Sequence, residues 1–534
     1  MVNQRTSVTG DYRQNKRRGI KVLNRWLAGC ITLLLAVAVT RGVCAETSDP
    51  LLDLMIQKGM LTQEEAAKVK AEADAIRTNA FNQAMPPVES KWKISKAVKD
   101  VELFGDVRLR FEDRQATTPT GDRIELDRAR FALHFGLRGD MFDDFYFGFR
   151  LETSTNPRSP WVTLGSSSPA PFGKSGDGVN VGQAYIGWRP GDWVDITAGK
   201  MPNPMFTTPM IWDPDLNPEG LAERFKYTVG NADFFANFGQ FLYQDNNPSY
   251  ISGSLLSDPG SRQSGTTPTF LLAWQAGVNY RFTENVSAKI AGTLYQYIGL
   301  ETNVNFNGIG DTYIGEGGYA GPGSGTINGL NGPGATAPPF YYNQVGVNNL
   351  LVVDVPFEVD FKISKLNARV FGDFAYNLEG SQRATAAWNA LSAQSQLVTP
   401  GFQPPLVGYG AQTDDVKAYQ IGFAIGNKDS LGLVYGSVVK KHAWEFRTYW
   451  QHVEQYALDP NLLDSDFFEG RGNLQGIYAA VAYGFTDNVV ATIRYGYASR
   501  INSKLGTGGS NADIPQLNPI QRYNLLQVDM GVKF

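Results

Sequence analysis

The last nine residues, Leu526 to Phe534, alternate strictly between apolar and polar side chains and stop on an aromatic. A two-residue period puts Leu526, Val528, Met530, Val532 and Phe534 on one face of a strand and Gln527, Asp529, Gly531 and Lys533 on the other. Soluble sheets rarely carry such a terminal strand. A closed membrane barrel requires one, with lipid on the apolar side, a watery lumen on the polar side and an aromatic at the rim.

The same pattern recurs from Val101 onward. Val107, Leu109 and Phe111 alternate with Arg108, Arg110 and Glu112. Ala129, Phe131, Leu133, Phe135 and Leu137 oppose Arg128, Arg130, His134 and Arg138, and Phe145, Phe147, Phe149 and Leu151 oppose Tyr146, Arg150 and Glu152. Segments near 272–281, 353–362 and 489–497 repeat it. We read about sixteen such segments of roughly ten residues, the length a tilted strand needs to cross a bilayer. Connection lengths test this independently. Short turns near Gly139-Asp140, Pro190-Gly191, Asn231, Thr283-Glu284-Asn285, Ser364-Lys365 and Thr486-Asp487-Asn488 fall between longer connections at about 114–123, 154–180, 201–223, 242–268, 299–349, 377–415, 456–472 and 501–521. Long outer loops alternating with short inner turns are the arrangement of an outer-membrane barrel. One inner connection, 428–441, is too long for the pattern. The expected fold is an all-β transmembrane antiparallel barrel over 100–534, with Val528, Met530, Val532 and Phe534 on its closing strand.

Residues 1–45 read as an export signal, with a basic segment from Arg5 to Arg25, an apolar core from Leu27 to Val39, and Val43-Cys44-Ala45 as the cleavage site. Arg17-Arg18 resembles a twin-arginine signal, but a barrel must cross the inner membrane unfolded. Leu27-Ala28-Gly29-Cys30 has the composition of a lipidation box but stands at the start of the apolar core instead of following it. Both cysteines lie in the signal, which leaves no thiol chemistry beyond it. Of 48 basic and 52 acidic residues the signal holds eight and one, so the remainder carries a net charge of −11. That balance gives no footprint for nucleic acid. Residues 46–99 form a periplasmic segment and linker. Within it, 50–82 is helical, with Gly59 ending one turn and Thr62-Gln63-Glu64-Glu65 capping a second helix. Its thin Ala66, Val69, Ala73, Ile76 seam would pack against copies of itself or another protein, or serve as a spacer.

Six arginines, Arg108, Arg110, Arg128, Arg130, Arg138 and Arg150, share the water side of three consecutive strands with His134. Neighbouring strands lie about 4.8 Å apart, so these side chains form a basic wall lining the pore. Its charges are either available to anions or paired with Glu112, Glu125, Asp127 and Glu152. The third outer loop, stiffened by five prolines between 202 and 218, carries Asp213, Asp215 and Glu219, which would face the wall across a constriction if the loop folds inward. Asp213-Pro214-Asp215 lacks the ligand set of a calcium site. The glycines of the fifth loop have no strand-loop-helix context for phosphate binding. No nucleophile stands with His134, His442 or His452 in a readable arrangement, so no enzyme, cofactor or metal is expected.

The segment Leu51-Leu52-Asp53-Leu54, Lys58 to Thr62 and Glu64-Glu65-Ala66 resembles the periplasmic segment of the family described as putative porins of Gram-negative outer membranes. Gly182-Gln183-Ala184-Tyr185-Ile186, Gly199-Lys200, Trp212-Asp213, Pro218-Glu219-Gly220 and Asp464-Ser465-Asp466-Phe467 follow in the family's order. The resemblance implies passive diffusion of small hydrophilic solutes or ions, with outer-membrane lipid and the barrel-assembly machinery as partners and a homotrimer as one assembly open to it. The rival reading is an adhesin or tether with a barrel anchor. An energised transporter would need a plug domain before the barrel for which there is no room.

Overall fold

A computed structural model describes residues 58, 97–119, 121–154, 159–165, 178–244, 269–298, 350–386, 410–427, 429–507 and 520–534. The signal, the helical stretch apart from Lys58, and the glycine-rich fifth loop lie outside them. The described barrel strands are β1 (Glu102–Thr117), β2 (Arg123–Asp140), β3 (Phe145–Thr153), β4 (Val179–Gly191), β5 (Val194–Lys200), β6 (Glu219–Val229), β7 (Ala232–Gln244), β8 (Thr269–Thr283) and β9 (Val286–Ile298). They continue as β10 (Leu351–Asp354 and Phe357–Ile363), β11 (Leu366–Asn377), β12 (Lys417–Asn427), β13 (Trp444–Val453), β14 (Leu474–Gly484), β15 (Val489–Arg500) and β16 (Arg522–Lys533). The two halves of β10 pair with the same neighbours on either side of Val355-Pro356, where proline has no N–H to give the ladder.

Each strand pairs antiparallel with the next, and β1 pairs with β16, so the sixteen strands close into a barrel. At the seam Val107 opposes Val532, Leu109 opposes Met530 and Arg110 opposes Asp529. Gly105 and Phe534 exchange two backbone hydrogen bonds of 3.0 Å. A Cβ on Gly105 would stand 2.6 Å from the Phe534 ring, so the terminal aromatic lies over a β1 position that has no side chain.

Burial follows the two-residue period around the barrel. On β16 Tyr523, Leu525, Gln527 and Asp529 are buried, while Val532 and Phe534 are exposed on the outer surface with Leu109, Phe135, Phe149, Trp274, Phe374 and Ile493. These outer apolar residues are the lipid face, since only hydrocarbon suits a continuous belt of them. Phe142, Trp193, Tyr227, Phe234, Tyr280, Phe282 and Phe485, near the inner turns, form an aromatic girdle at the periplasmic rim. The six short turns read from sequence are found between β2/β3, β4/β5, β6/β7, β8/β9, β10/β11 and β14/β15. The first outer connection is shorter than expected. β1 and β2 stay paired to Thr117 and Arg123, leaving only 118–122 as a loop.

Candidate functional site: the barrel lumen

The inward face of β1–β3 carries the arginine wall, and every arginine of it has a carboxylate partner. Arg110 donates through Nε and Nη2 to both carboxylate oxygens of Asp529, at 2.8 and 2.9 Å, and through Nη1 to Asp466 at 2.7 Å. Arg114 reaches Glu112 at 3.3 Å, Glu469 at 3.4 Å and the Tyr523 hydroxyl at 2.8 Å. Arg128 and Arg130 both donate to Glu112, and Arg494 donates to Asp529. Nearer the periplasm Arg108 pairs with Asp106 at 3.0 Å, Arg150 with Glu152 at 2.9 Å and Arg138 with Glu102 at 2.6 Å. His134 stands between Asp106 (3.0 Å) and Glu152 (3.7 Å). Buried guanidinium groups demand this pairing, because an unpaired charge out of water is far more costly than a paired one.

The partners differ in part from those read in the sequence. Glu125 and Asp127 share the outer parity of their strand, away from the wall, and Glu125 pairs with Arg123. Asp113, Glu125 and Asp127 cluster on that face. The missing anions come instead from the seventh outer loop, 454–473, which folds into the barrel and delivers Asp466 and Glu469. The sequence signal was present in Asp464-Ser465-Asp466-Phe467, but period-two reasoning is silent about a loop's path. Phe467 and Phe468 enter with it, Phe467 packing on Tyr449 and Tyr478 and Phe468 on Phe467. Gly496 makes room, since a Cβ there would lie 2.6 Å from the Phe467 ring. From the second outer loop Trp161 places its ring 4.1 Å from the Arg110 guanidinium and 5.0 Å from that of Arg108.

The overlong inner connection also folds inward. Its 3₁₀ turn, Leu433–Tyr435, is flanked by Gly432 and Gly436 at φ 103° and 68°, in the left-handed region that favours glycine. The Glu445 carboxylate accepts the Gly432 and Val434 N–H groups at 2.9 Å each, Arg494 donates to the Val434 carbonyl at 2.9 Å, and Lys533 donates to that of Gly436. Leu433 and Val434 are buried.

The third outer loop, 201–218, crosses the lumen. Near its start the Phe206 N–H donates to the Gln275 side chain on β8 at 2.9 Å, and the Gln275 amide donates back to the Phe206 carbonyl at 2.7 Å. The Thr208 hydroxyl donates to Asp373 on β11 at 2.6 Å. At its far side the loop meets the seventh: the Asp213 N–H donates to the Leu462 carbonyl at 2.6 Å, the Ser465 N–H to the Asp213 carboxylate at 3.0 Å, and the Asp464 N–H to the Pro209 carbonyl at 3.2 Å. Asp213 is thus buried against the seventh loop and does not face the arginines. Asp215 turns its N–H to Asp213 at 2.9 Å, and Glu219 pairs with Lys200 at 3.0 Å at the start of β6. Burial, then the charges of Asp215 and Asp464, pushes the Asp213 carboxyl well above its ordinary range. Burial and the neighbouring Asp466 push Asp464 up to about 7. Burial also opposes ionisation of Asp466, but Arg110, Arg114 and Arg494 outweigh it and hold that carboxyl below its usual range.

Beneath the first half of this loop, against β4–β9, lies a cavity of about 560 Å³ lined by Met205, Phe206, Arg224, Lys226, Phe235 and Lys289, among others. His442 and His452 are elsewhere. His442 meets the Tyr483 hydroxyl at 2.8 Å in the inner connection, and His452 stacks on Tyr419 at 4.7 Å on the outer face.

A family model described as "Putative porin" matches residues 113–312 and 335–534. No curated protein matches the chain. Among solved structures, the Salmonella typhi OmpF complex with daunomycin aligns at 9% identity over 82% of this chain and 98% of its own, with a TM-score of 0.38. In-vitro folded OmpT of Vibrio cholerae aligns at 11% identity over 83% and 99%, with a TM-score of 0.36. The outer membrane protein opdK of Pseudomonas aeruginosa aligns at 10% identity over 82% and 99%, with a TM-score of 0.37. At these scores the structural likeness carries no argument, and the assignment rests on the family match over most of the barrel. The closed barrel, its lipid face and that match together place the chain in the outer membrane, as a channel-forming member of the putative porin family.

Proposed function

We propose that the channel serves passive diffusion of small hydrophilic solutes or ions, with its constriction where the third loop spans the lumen and meets the seventh. The observation that carries this reading is the third loop itself. It is anchored at Gln275, Asp373 and the seventh loop, and the cavity lies beneath its first half. The route runs along β3–β11 and, nearer the periplasm, past β1 and β2, because the rest of the opposite side is filled by the seventh loop and the inner connection. On this reading Arg108, Arg138 and Arg150 with their acids line the way, whereas Arg110, Arg114 and Arg130 hold loops. The export signal over 1–45, the periplasmic segment over 46–99, insertion by the barrel-assembly machinery and a homotrimeric assembly belong to the same proposal. Purified, heat-modifiable protein should give discrete conductance steps in planar bilayers. A folded barrel that gives none would overturn the diffusion reading and favour a tether.

A further inference from the structure

We propose that the cavity beneath the third loop is a binding station for small organic anions that carry a single carboxylate and an apolar body. The proposal rests on the channel reading above and names the solute class of that route. Two of its three carboxylates are already engaged, and the third, Asp192, sits exposed in the inner turn between β4 and β5. Asp195 accepts from Tyr146 at 2.5 Å, Arg224 at 2.6 Å and Arg189 at 2.7 Å, and Asp233 accepts from Arg281 at 2.5 Å and Thr228 at 2.7 Å. Two of its cations are not. Among the described residues no carboxylate lies within ion-pair distance of Lys289 or Lys226, and both line the cavity. The Arg224 Nε–H, buried in the same wall, also has no acceptor.

Lys289 is held by ring faces instead of by an acid. Its ammonium lies 3.8 Å from the Phe206 ring centre and 5.1 Å from that of Phe235, so it is fixed in place without being neutralised. Glu358, directly across from it on β10, is taken by Arg369 at 2.7 Å. An ammonium that has given up part of its water and gained no anion is a ready partner for a carboxylate. Pro204, Met205, Phe206 and Phe235 give the wall an apolar stretch beside Lys289 that suits a hydrocarbon body. A volume of about 560 Å³ falls within the range in which small-molecule sites occur. Inorganic phosphate, which needs several convergent donors and has no apolar part, would leave that wall unused.

The test is titration of single channels in potassium chloride with cyclohexanecarboxylate, cyclohexylmethanol and inorganic phosphate, in the full chain and in K289M, K289R and K226M. The carboxylate should produce concentration-dependent blocking events that the alcohol and phosphate do not. K289M should raise the half-blocking concentration about tenfold, a loss of about 1.4 kcal/mol, K226M should raise it less, and K289R should keep most of the block. Equal block of the full chain and K289M, or phosphate blocking as well as the carboxylate, would overturn the inference. Absence of any conductance step removes the diffusion reading with it, whereas steps indifferent to the carboxylate remove only this site. If K289M fails to fold, K289R and K226M decide between the outcomes.

Discussion

The two halves of the lumen are built from the same alternating strands and do opposite things with their charges. Along β12–β16, β1 and β2 the inward arginines, Arg110, Arg114 and Arg494, are locked to Asp466, Asp529, Glu112 and Glu469, beneath a loop from the outside and a turn from the inside. Along β4–β9 the cations Lys226 and Lys289 line a cavity with no ion-pair partner among the described residues, since its Asp195 and Asp233 are held by Arg189, Arg224 and Arg281. The inward face alone therefore does not make a pore wall. What decides is whether the connections bring partners: Asp466 and Glu469 arrive on the seventh loop, and no loop delivers an acid to Lys289 among the described residues.

If the packed half is structural, breaking it should cost most. Arg114→Met takes from Glu112 and Glu469, both fully buried, the one cation that they share. Removing one partner of a buried pair typically costs about 3–5 kcal/mol. Thermal unfolding in detergent should show the largest drop of any lumen substitution, with a seventh loop newly open to protease. A variant as stable as the full chain would mean that the network is incidental.

The seam beside that half is the next test. Deleting Phe534 removes the ring over Gly105 and the last pair of backbone bonds between β1 and β16. The amount of folded, surface-located protein should fall several-fold, while channels that do assemble keep their conductance. Normal surface levels of the truncated chain would detach Phe534 from assembly.

The barrel was largely legible in the sequence, and the lumen only in part. Alternation placed Val528, Met530 and Asp529 on opposite faces because strand geometry forces it, and six short turns fixed the phase of the whole chain. The same rule placed Arg110 and Glu112 inward but could not supply Asp466, since a loop obeys no period. The overlong 428–441 connection was the one visible irregularity. It now has a physical reason: Glu445, Arg494 and Lys533 draw its backbone into the barrel. Lys289 drew no notice, because a lone lysine on a lumen face becomes unusual only once its neighbours prove to be rings.

The junction of the third and seventh loops joins the two halves, and pH should loosen it. Asp464, at about 7 in the folded protein against an ordinary 3.8, keeps a proton that the unfolded chain releases. Its contribution is therefore complete below about pH 4, declines as pH rises toward 7 and is gone above. Asp213 is shifted in the same direction, while Asp466 stays ionised across that window. Single-channel noise should thus grow between about pH 4 and 7, and Asp464→Asn should flatten the rise. A profile unchanged by Asp464→Asn would assign the noise to another group.

The smallest effect should come from the arginines that look most prominent in the sequence. Arg128 and Arg130 converge on the fully buried Glu112 in a cluster whose other arginines are paired with Asp466, Asp529 and Glu469, so much of the local field is offset before a permeating ion meets it. Reversing both to glutamate disturbs packing but should move the anion/cation reversal potential only slightly. The same reversal at Lys226 and Lys289, whose field is not offset by an ion pair, should move it clearly toward cations. Measured under one salt gradient, the two double variants order the halves directly. A larger shift from Arg128 and Arg130 would place the selectivity filter on the packed side and reverse the assignment of roles.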